Sequence, residues 1–237
     1  MSFRRSAARL VALAACCGLA LLAGCTSKAD NKPAQVRYLN LLDDQTAVGV
    51  SLDGKPVATG VGYQSASSYH ETRSNNYAAL ITNAAGATLS SYTEALGQLR
   101  YTIYLYGTAA DIKRINADDS KLTLPNDKFT LRLLVASAAL TGYDLYVTTA
   151  DADLATTTPN LVLSLPATIS TYGTLLDPGS YRVRITPTGT KTVVFDRTLS
   201  FTAKSHPTFV VHGTAGAPKF MQVGPDEGAV VVFTATP

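Results

Sequence analysis

The chain has 237 residues, 46% of them hydrophobic and 16% charged, with 20 Lys and Arg against 17 Asp and Glu. That length buries a sizeable core without disulfides. No cluster of Lys and Arg occurs beyond the N-terminus, so the electrostatic footprint of nucleic-acid binding is missing.

The opening "MSFRRSAARL" places Arg4, Arg5 and Arg9 ahead of an apolar run, "LVALAACCGLALLAG" (10–24). The run is shorter than the roughly 20 residues that a membrane-spanning helix needs. A basic head, a short apolar core and small residues before a boundary predict a secretory signal. Leu22, Ala23, Gly24 and Cys25 resemble the lipobox of bacterial lipoproteins. That resemblance implies cleavage before Cys25, a diacylglycerol on its thiol and acylation of the new N-terminus, and so a membrane partner held through lipid. Several acyl chains give stable anchoring where one does not. Thr26, rather than Asp, after the cysteine implies the outer membrane if the host is Gram-negative. Removing residues 1–24 from 237 leaves 213, with 17 basic and 17 acidic side chains, because three arginines leave and no acid does. Cys16 and Cys17 leave as well. With Cys25 lipidated, no disulfide, cysteine nucleophile or thiolate metal site is expected. Residues 25–35 are then the lipidated cysteine and a polar, flexible tether in which Pro33 discourages a helix.

Past the tether no long stretch has helical periodicity. Short runs rich in Val, Ile, Thr, Tyr and Leu alternate in polarity between Gly, Pro, Asn and Asp, the pattern of an all-β sandwich or barrel. Asp53-Gly54 reads as a hairpin turn, and "GVGYQS" (60–65) as a glycine-rich loop rather than a phosphate loop. "LRYTIYLY" (99–106) is the clearest strand. Tyr101, Ile103 and Leu105 point one way, and Arg100, Thr102, Tyr104 and Tyr106 the other. "LPND" (124–127) and Pro178-Gly179 are boundary and turn signals. In "YRVRIT" (181–186), Tyr181, Val183 and Ile185 are expected to face a core, with Arg182 and Arg184 facing water. "AVVVFTA" (229–235) reads as a more buried strand.

Internal repetition organises these strands. "VRYLN" (36–40) resembles "LRLLV" (131–135), "SSYHETRSNNYAALIT" (67–82) resembles "STYGTLLDPGSYRVRIT" (170–186), and "YTIYLYGTA" (101–109) resembles "PTFVVHGTA" (207–215). The offsets grow slowly in chain order, as insertions within a duplication produce. The expected fold is all-β: two tandem immunoglobulin-like or transthyretin-like β-sandwich domains, residues 36–125 and 126–237, after the signal and tether. Asn40, Val50, Asp53, Gly54, Ser68, Tyr69, Tyr101, Thr102 and Gly107 resemble the pattern of the DUF4397 family of secreted bacterial β-domains. Gly49 stands where that family usually has Asp. The second copy keeps "YDLYV" (143–147) and loses the Asp-Gly turn. The resemblance implies an extracytoplasmic β-sandwich and supplies no catalytic residues.

Chemistry-bearing residues are scattered. His70 falls in a loop, His206 precedes Pro207 and His212 ends a strand, so two surface histidines and one at a strand end are expected, and no metal site. Asp43-Asp44, Asp118-Asp119 and Asp151/Asp153 are acidic pairs, the last read as a solvated turn rather than a calcium loop. No G-x-S-x-G, S-x-x-K or H-E-x-x-H occurs, and no cofactor is expected. Tyr104 and Tyr106 share their strand face with Arg100, a stripe expected first to pack on a neighbouring strand or on the second domain, and otherwise suited to recognising an envelope protein or a glycan. The expected role is a non-catalytic binding, adhesion or scaffolding module of the cell envelope. The alternative is an envelope enzyme acting on polysaccharide with carboxylates from separate strands, which a buried, shifted carboxylate pair in a cleft would mark. A third reading is a subunit of a larger assembly, marked by an unpaired edge strand.

Overall fold

The computed structural model describes residues 32–120, 122–226 and 229–234; the signal segment and Cys25 lie outside the described residues. Every regular element among them is a strand. The first nine are β1 (Ala34–Leu42), β2 (Ala47–Leu52), β3 (Lys55–Gly62), β4 (Ser65–Ala66), β5 (His70–Thr72), β6 (Asn75–Asn83), β7 (Thr88–Leu96), β8 (Arg100–Thr108) and β9 (Asp111–Asp118). The others are β10 (Arg132–Ala136), β11 (Tyr143–Thr148), β12 (Leu161–Leu163), β13 (Thr168–Ile169), β14 (Gly179–Pro187), β15 (Phe195–Phe201), β16 (Thr208–Thr214), β17 (Ala217–Val223) and β18 (Val230–Phe233).

Local chemistry sets several of these boundaries. Asp53 and Gly54 take φ of 47° and 75° between β2 and β3, the double positive φ of a type I′ hairpin. Gly107 and Gly213 close β8 and β16 at φ of 99° and 91°. A Cβ there would meet the carbonyl oxygens of Asp111 and Ala217 at 2.4 and 2.7 Å, so the repeated Gly-Thr-Ala step is a backbone requirement in both places. β1 opens at Ala34, so the last two residues of the expected tether belong to the sheet.

Four sheets result, ordered β3-β2-β6-β7, β4-β1-β8-β9 with β5 also on β1, β13-β10-β16-β17-β18, and β12-β11-β14-β15. Pairing is antiparallel except for β1 with β8, where Leu39 lies opposite Tyr104, and β10 with β16, where Leu134 lies opposite Val210. The strand order of the first half recurs in the second. β1, β2, β3, β6, β7, β8 and β9 pair among themselves as β10, β11, β12, β14, β15, β16 and β17 do.

Three apolar layers separate the four sheets. Val36, Tyr38, Val50, Ile81, Ile103 and Leu105 fill the first sandwich. Leu133, Val135, Leu145, Val183 and Phe209 fill the second, where Phe129 and Phe201 stack with ring centroids 4.6 Å apart. The third layer joins the halves: Leu39, Leu41, Tyr104, Tyr106 and Ile115 against Leu134, Val210, Met221 and Val223. β1 and β10 are therefore apolar on both faces, and each such side chain contributes about 1.5–3 kcal/mol of burial.

Two expectations fail, one on an outer strand and one on an inner strand. β18 forms the outer strand of its sheet, and Val231 and Val232 are exposed. Its apolar run reflects one packed residue in particular, Phe233, which meets Phe195 at 5.0 Å. Arg184 is buried rather than facing water, because Thr148 Oγ1 and the Ala152 carbonyl each accept a hydrogen bond from it at 3.0 Å.

Candidate functional site

The predicted stripe divides. Ile103 and Leu105 enter the first core as expected, and Tyr104 and Tyr106 do point the opposite way. That opposite face carries the second half of the chain, so Tyr104 is fully buried and Tyr106 nearly so. Neither presents a recognition surface, because the β10–β16–β17 sheet covers the face on which they stand. Arg100, at the start of β8, stays half-exposed and alone remains available from the stripe.

One end of the seam is closed by charge. Asp119, 3% exposed, accepts hydrogen bonds from Arg132, Thr102 and Tyr69, the last at 2.9 Å, and Arg37 Nη2 lies 3.5 Å away. Arg37 also donates to the carbonyls of Gly224 and Asp226 at 2.5 and 2.9 Å, and Arg132 to the carbonyl of Asp118 at 2.8 Å. Each arginine donates Nε to the threonine beside it on the parallel neighbour, Arg37 to Thr102 at 2.7 Å and Arg132 to Thr208 at 2.8 Å. Each thus reaches from the start of its own half into the loop that ends the other. Tyr69 lies under both Arg37 and Arg100, whose guanidinium carbons stand 4.6 and 3.8 Å from its ring centre. Burial foremost, then the Asp119 charge, pushes the Tyr69 phenol up to about 12. Tyr172 repeats the arrangement, 4.7 Å under Arg132 and edge-on to His206 at 5.8 Å.

The other end holds a second polar cluster. Tyr63 donates to Asp43, and Lys219 Nζ reaches both, at 3.0 Å to Asp43 and 2.8 Å to the Tyr63 hydroxyl. Burial opposes ionisation of Asp43, but the bonds from Tyr63 and Lys219 outweigh it and hold its carboxyl below the usual range. His212 lies beside them, fully buried, with Tyr63 edge-on at 6.1 Å and the Gln64 amide nitrogen 3.1 Å from Nε2. Its Nδ1 has no partner among the described residues. Burial drives the imidazole down to about 4, so it is neutral at neutral pH. His206, expected at the surface, is buried in the segment before β16, and His212 lies within β16 on an inner sheet. "GVGYQS" is only partly a loop: Gly60–Gly62 finish β3, while Tyr63 and Gln64 supply this cluster.

A third group lies between β7 and β9. Glu94 is buried, accepts from Asn116 at 2.7 Å and has Arg114 Nε 3.8 Å away. Burial raises its carboxyl above the usual range, and the Asn116 bond and the Arg114 charge only partly offset this. Its second oxygen and the hydroxyls of Tyr92 and Tyr38 have no hydrogen-bond partner among the described residues. Arg114 covers Tyr92, 3.6 Å above its ring centre. Sequence reading passed over Glu94; its signal was a carboxylate on the inward face of a strand that alternates Tyr92, Glu94, Leu96. Among the described residues no three His, Cys, Asp or Glu side chains come together to hold a metal. Asp153 instead caps its own turn, accepting from Ala155 N at 2.9 Å.

Residues 34–146 match the DUF4397 family, a domain of unknown function, from the start of β1 into β11. No curated protein matches the chain. A solved structure of a family 26 carbohydrate-binding module from Eubacterium rectale Amy13K, in complex with maltoheptaose, aligns at 15% identity over 86% of this chain and 98% of that one, with a TM-score of 0.24. A score that low places no ligand on this chain.

Proposed function

We propose that this chain, whose residues 34–146 carry the DUF4397 match, is a lipid-anchored module of the cell envelope that binds or scaffolds rather than catalyses. The observation that carries the reading is the commitment of its charged groups to one another. Asp119 is held between Arg37 and Arg132, Asp43 is tied to Lys219 and Tyr63, and Asp196 is paired with Arg182. These groups hold the two halves and their sheets in register. Acid–base chemistry instead needs groups poised near the working pH and open to a substrate. The polysaccharide-enzyme reading requires two carboxylates with separated roles. Burial holds the Glu94 carboxyl above the usual range, and its neighbours are two tyrosines, an asparagine and an arginine. The anchor is Cys25, and the outer membrane follows if the host is Gram-negative.

The test pairs two readouts. Full-length protein expressed in a Gram-negative host is expected to partition into detergent and to carry a lipid mass, and Cys25→Ala to lose both. The unlipidated chain from residue 26 is then sedimented with purified peptidoglycan and outer-membrane fragments. Co-sedimentation without release of reducing ends supports the binding module. Release of reducing ends that Glu94→Gln abolishes overturns it in favour of the enzyme.

A further inference from the structure

Arg100 differs from the other partly or fully buried arginines. Arg37, Arg132, Arg182 and Arg184 donate hydrogen bonds to named acceptors, and Arg114 pairs with Glu94. Arg100 stacks on Tyr69, its Nε is buried without a partner, and its side chain makes no hydrogen bond or ion pair among the described residues. A guanidinium carries five N–H donors in a planar fork matched to a carboxylate or phosphate. Here the ring beneath fixes the plane of that fork and no acceptor meets it.

Arg100 borders an open hollow of about 450 Å³, within the range of small-ligand sites. Lys32, Gln35, Gln98 and Ser120 line it beside Arg100, with Leu99 as an apolar wall. Among the described residues the lining brings two cations and three neutral polar side chains and no carboxylate. Asp119, which directly precedes Ser120, turns its carboxylate to Arg37, Arg132, Thr102 and Tyr69, and Asp118 has its carboxylate on the Ser120 amide at 2.8 Å; neither is in the lining.

Position selects the anion. Lys32 is seven residues past Cys25, and seven residues reach at most about 25 Å when fully extended. An acylated Cys25 would therefore keep the hollow within about 25 Å of the bilayer. The anion it meets there at highest effective concentration is a lipid phosphate.

We propose that this hollow, between the start of β1 and the turn entering β8, is an anion site that takes the phosphate of an acidic lipid headgroup. Arg100 supplies a bidentate fork, Lys32 a point charge, and Gln98 and Ser120 neutral hydrogen bonds. The contact sets which end of the sandwich faces the bilayer, adding a second signal to the acyl chains. The choice of lipid as the source rests on the anchoring reading; the affinity for an anion does not.

Residues 32–234 contain all three apolar layers, so the unlipidated chain from residue 26 keeps the whole folded part. It is expected to float with phosphatidylglycerol vesicles and not with phosphatidylcholine vesicles. Inorganic phosphate is expected to shift the NMR signals of Arg100 Nε and the Gln98 amide. Arg100→Gln weakens both interactions at least about tenfold, and Lys32→Gln, outside every strand, weakens them about fivefold with no effect on folding. A phosphate shift lost in Arg100→Gln without vesicle binding overturns the lipid assignment in favour of a free phosphate. Binding that neither variant changes, or no response to either probe, overturns the site. Failure of acylation shows separately in the mass of the full-length protein.

Discussion

Asp119→Ala is expected to lower stability by about 3–5 kcal/mol, since removing one partner of a buried ion pair leaves the other charge uncompensated. Here two guanidiniums lose the same carboxylate, and Arg37 and Arg132 are both almost fully buried. Thermal unfolding is then expected to shift down by roughly 6–20 °C, with the unfolding followed by calorimetry. Asp119→Asn separates charge from shape. It keeps the acceptor for Tyr69 and Thr102 but not the charge, and should fall between wild type and Asp119→Ala. Replacing Asp119 and Arg132 together by Leu and Met should recover part of the loss, because well-packed apolar groups of similar volume often match a buried pair. Equal losses in the single and double variants would show that the network contributes through shape alone.

Acid is expected to weaken the fold through His212. Its folded value of about 4 lies below the ordinary 6.5, so between these pH values the unfolded chain binds a proton that the folded chain does not. Stability is complete above about pH 6.5, falls as pH drops through the window, and levels off below about 4, a loss of about 3 kcal/mol. The groups facing the ring work against each other: Asp43 favours the imidazolium and Lys219 opposes it, with burial the larger effect. Three other groups titrate differently. Asp43 and Asp196 are held below their ordinary 3.8, so the stability they give is lost only as pH falls below that value. Glu94 is raised above 4.5, so it gains stability as pH falls through its own window and partly masks the histidine. The difference between wild type and His212→Gln cancels the Asp196 and Glu94 contributions. Its melting temperature, recorded at steps from pH 7 to pH 4, should show the variant with the flatter profile. A variant that follows wild type throughout would place the acid sensitivity elsewhere.

The hairpin at Asp53-Gly54, the alternation of β8 and the repeated Gly-Thr-Ala steps were legible because they depend on φ and on a period of two, both local properties. What covers a strand face is not local. "LRYTIYLY" declares two faces, and only the second half of the chain decides that Tyr104 meets Leu134 and Val210 rather than water. A clue was present in "VRYLNLL" and "LRLLVA". Runs that are apolar on both faces belong to inner sheets, and inner sheets need a layer on each side. The repeat had even aligned Arg37 with Arg132, since each is the arginine of its matching "VRYLN" or "LRLLV" run. Nothing in spacing showed that both would reach Asp119, 13 residues before Arg132 and far beyond Arg37. Read along the chain, Asp118-Asp119 looks like one more acidic surface pair. Glu94 escaped for the opposite reason: a lone carboxylate in "TEAL" carries no motif, and its surroundings come from β1 and β9.

The seam between the halves draws on matching positions from each. Leu39 answers Leu134, Tyr104 answers Val210, and Ile115 answers Met221. Such an interface has the logic of an isologous dimer written into a single polypeptide. A chain carrying only one of these sandwiches would expose that apolar sheet to solvent and satisfy it with a second molecule. Linking the two halves makes their association intramolecular and independent of protein concentration. It also frees the halves to diverge, with tyrosines on one side of the seam and smaller apolar residues on the other, which identical subunits sharing one sequence could not do.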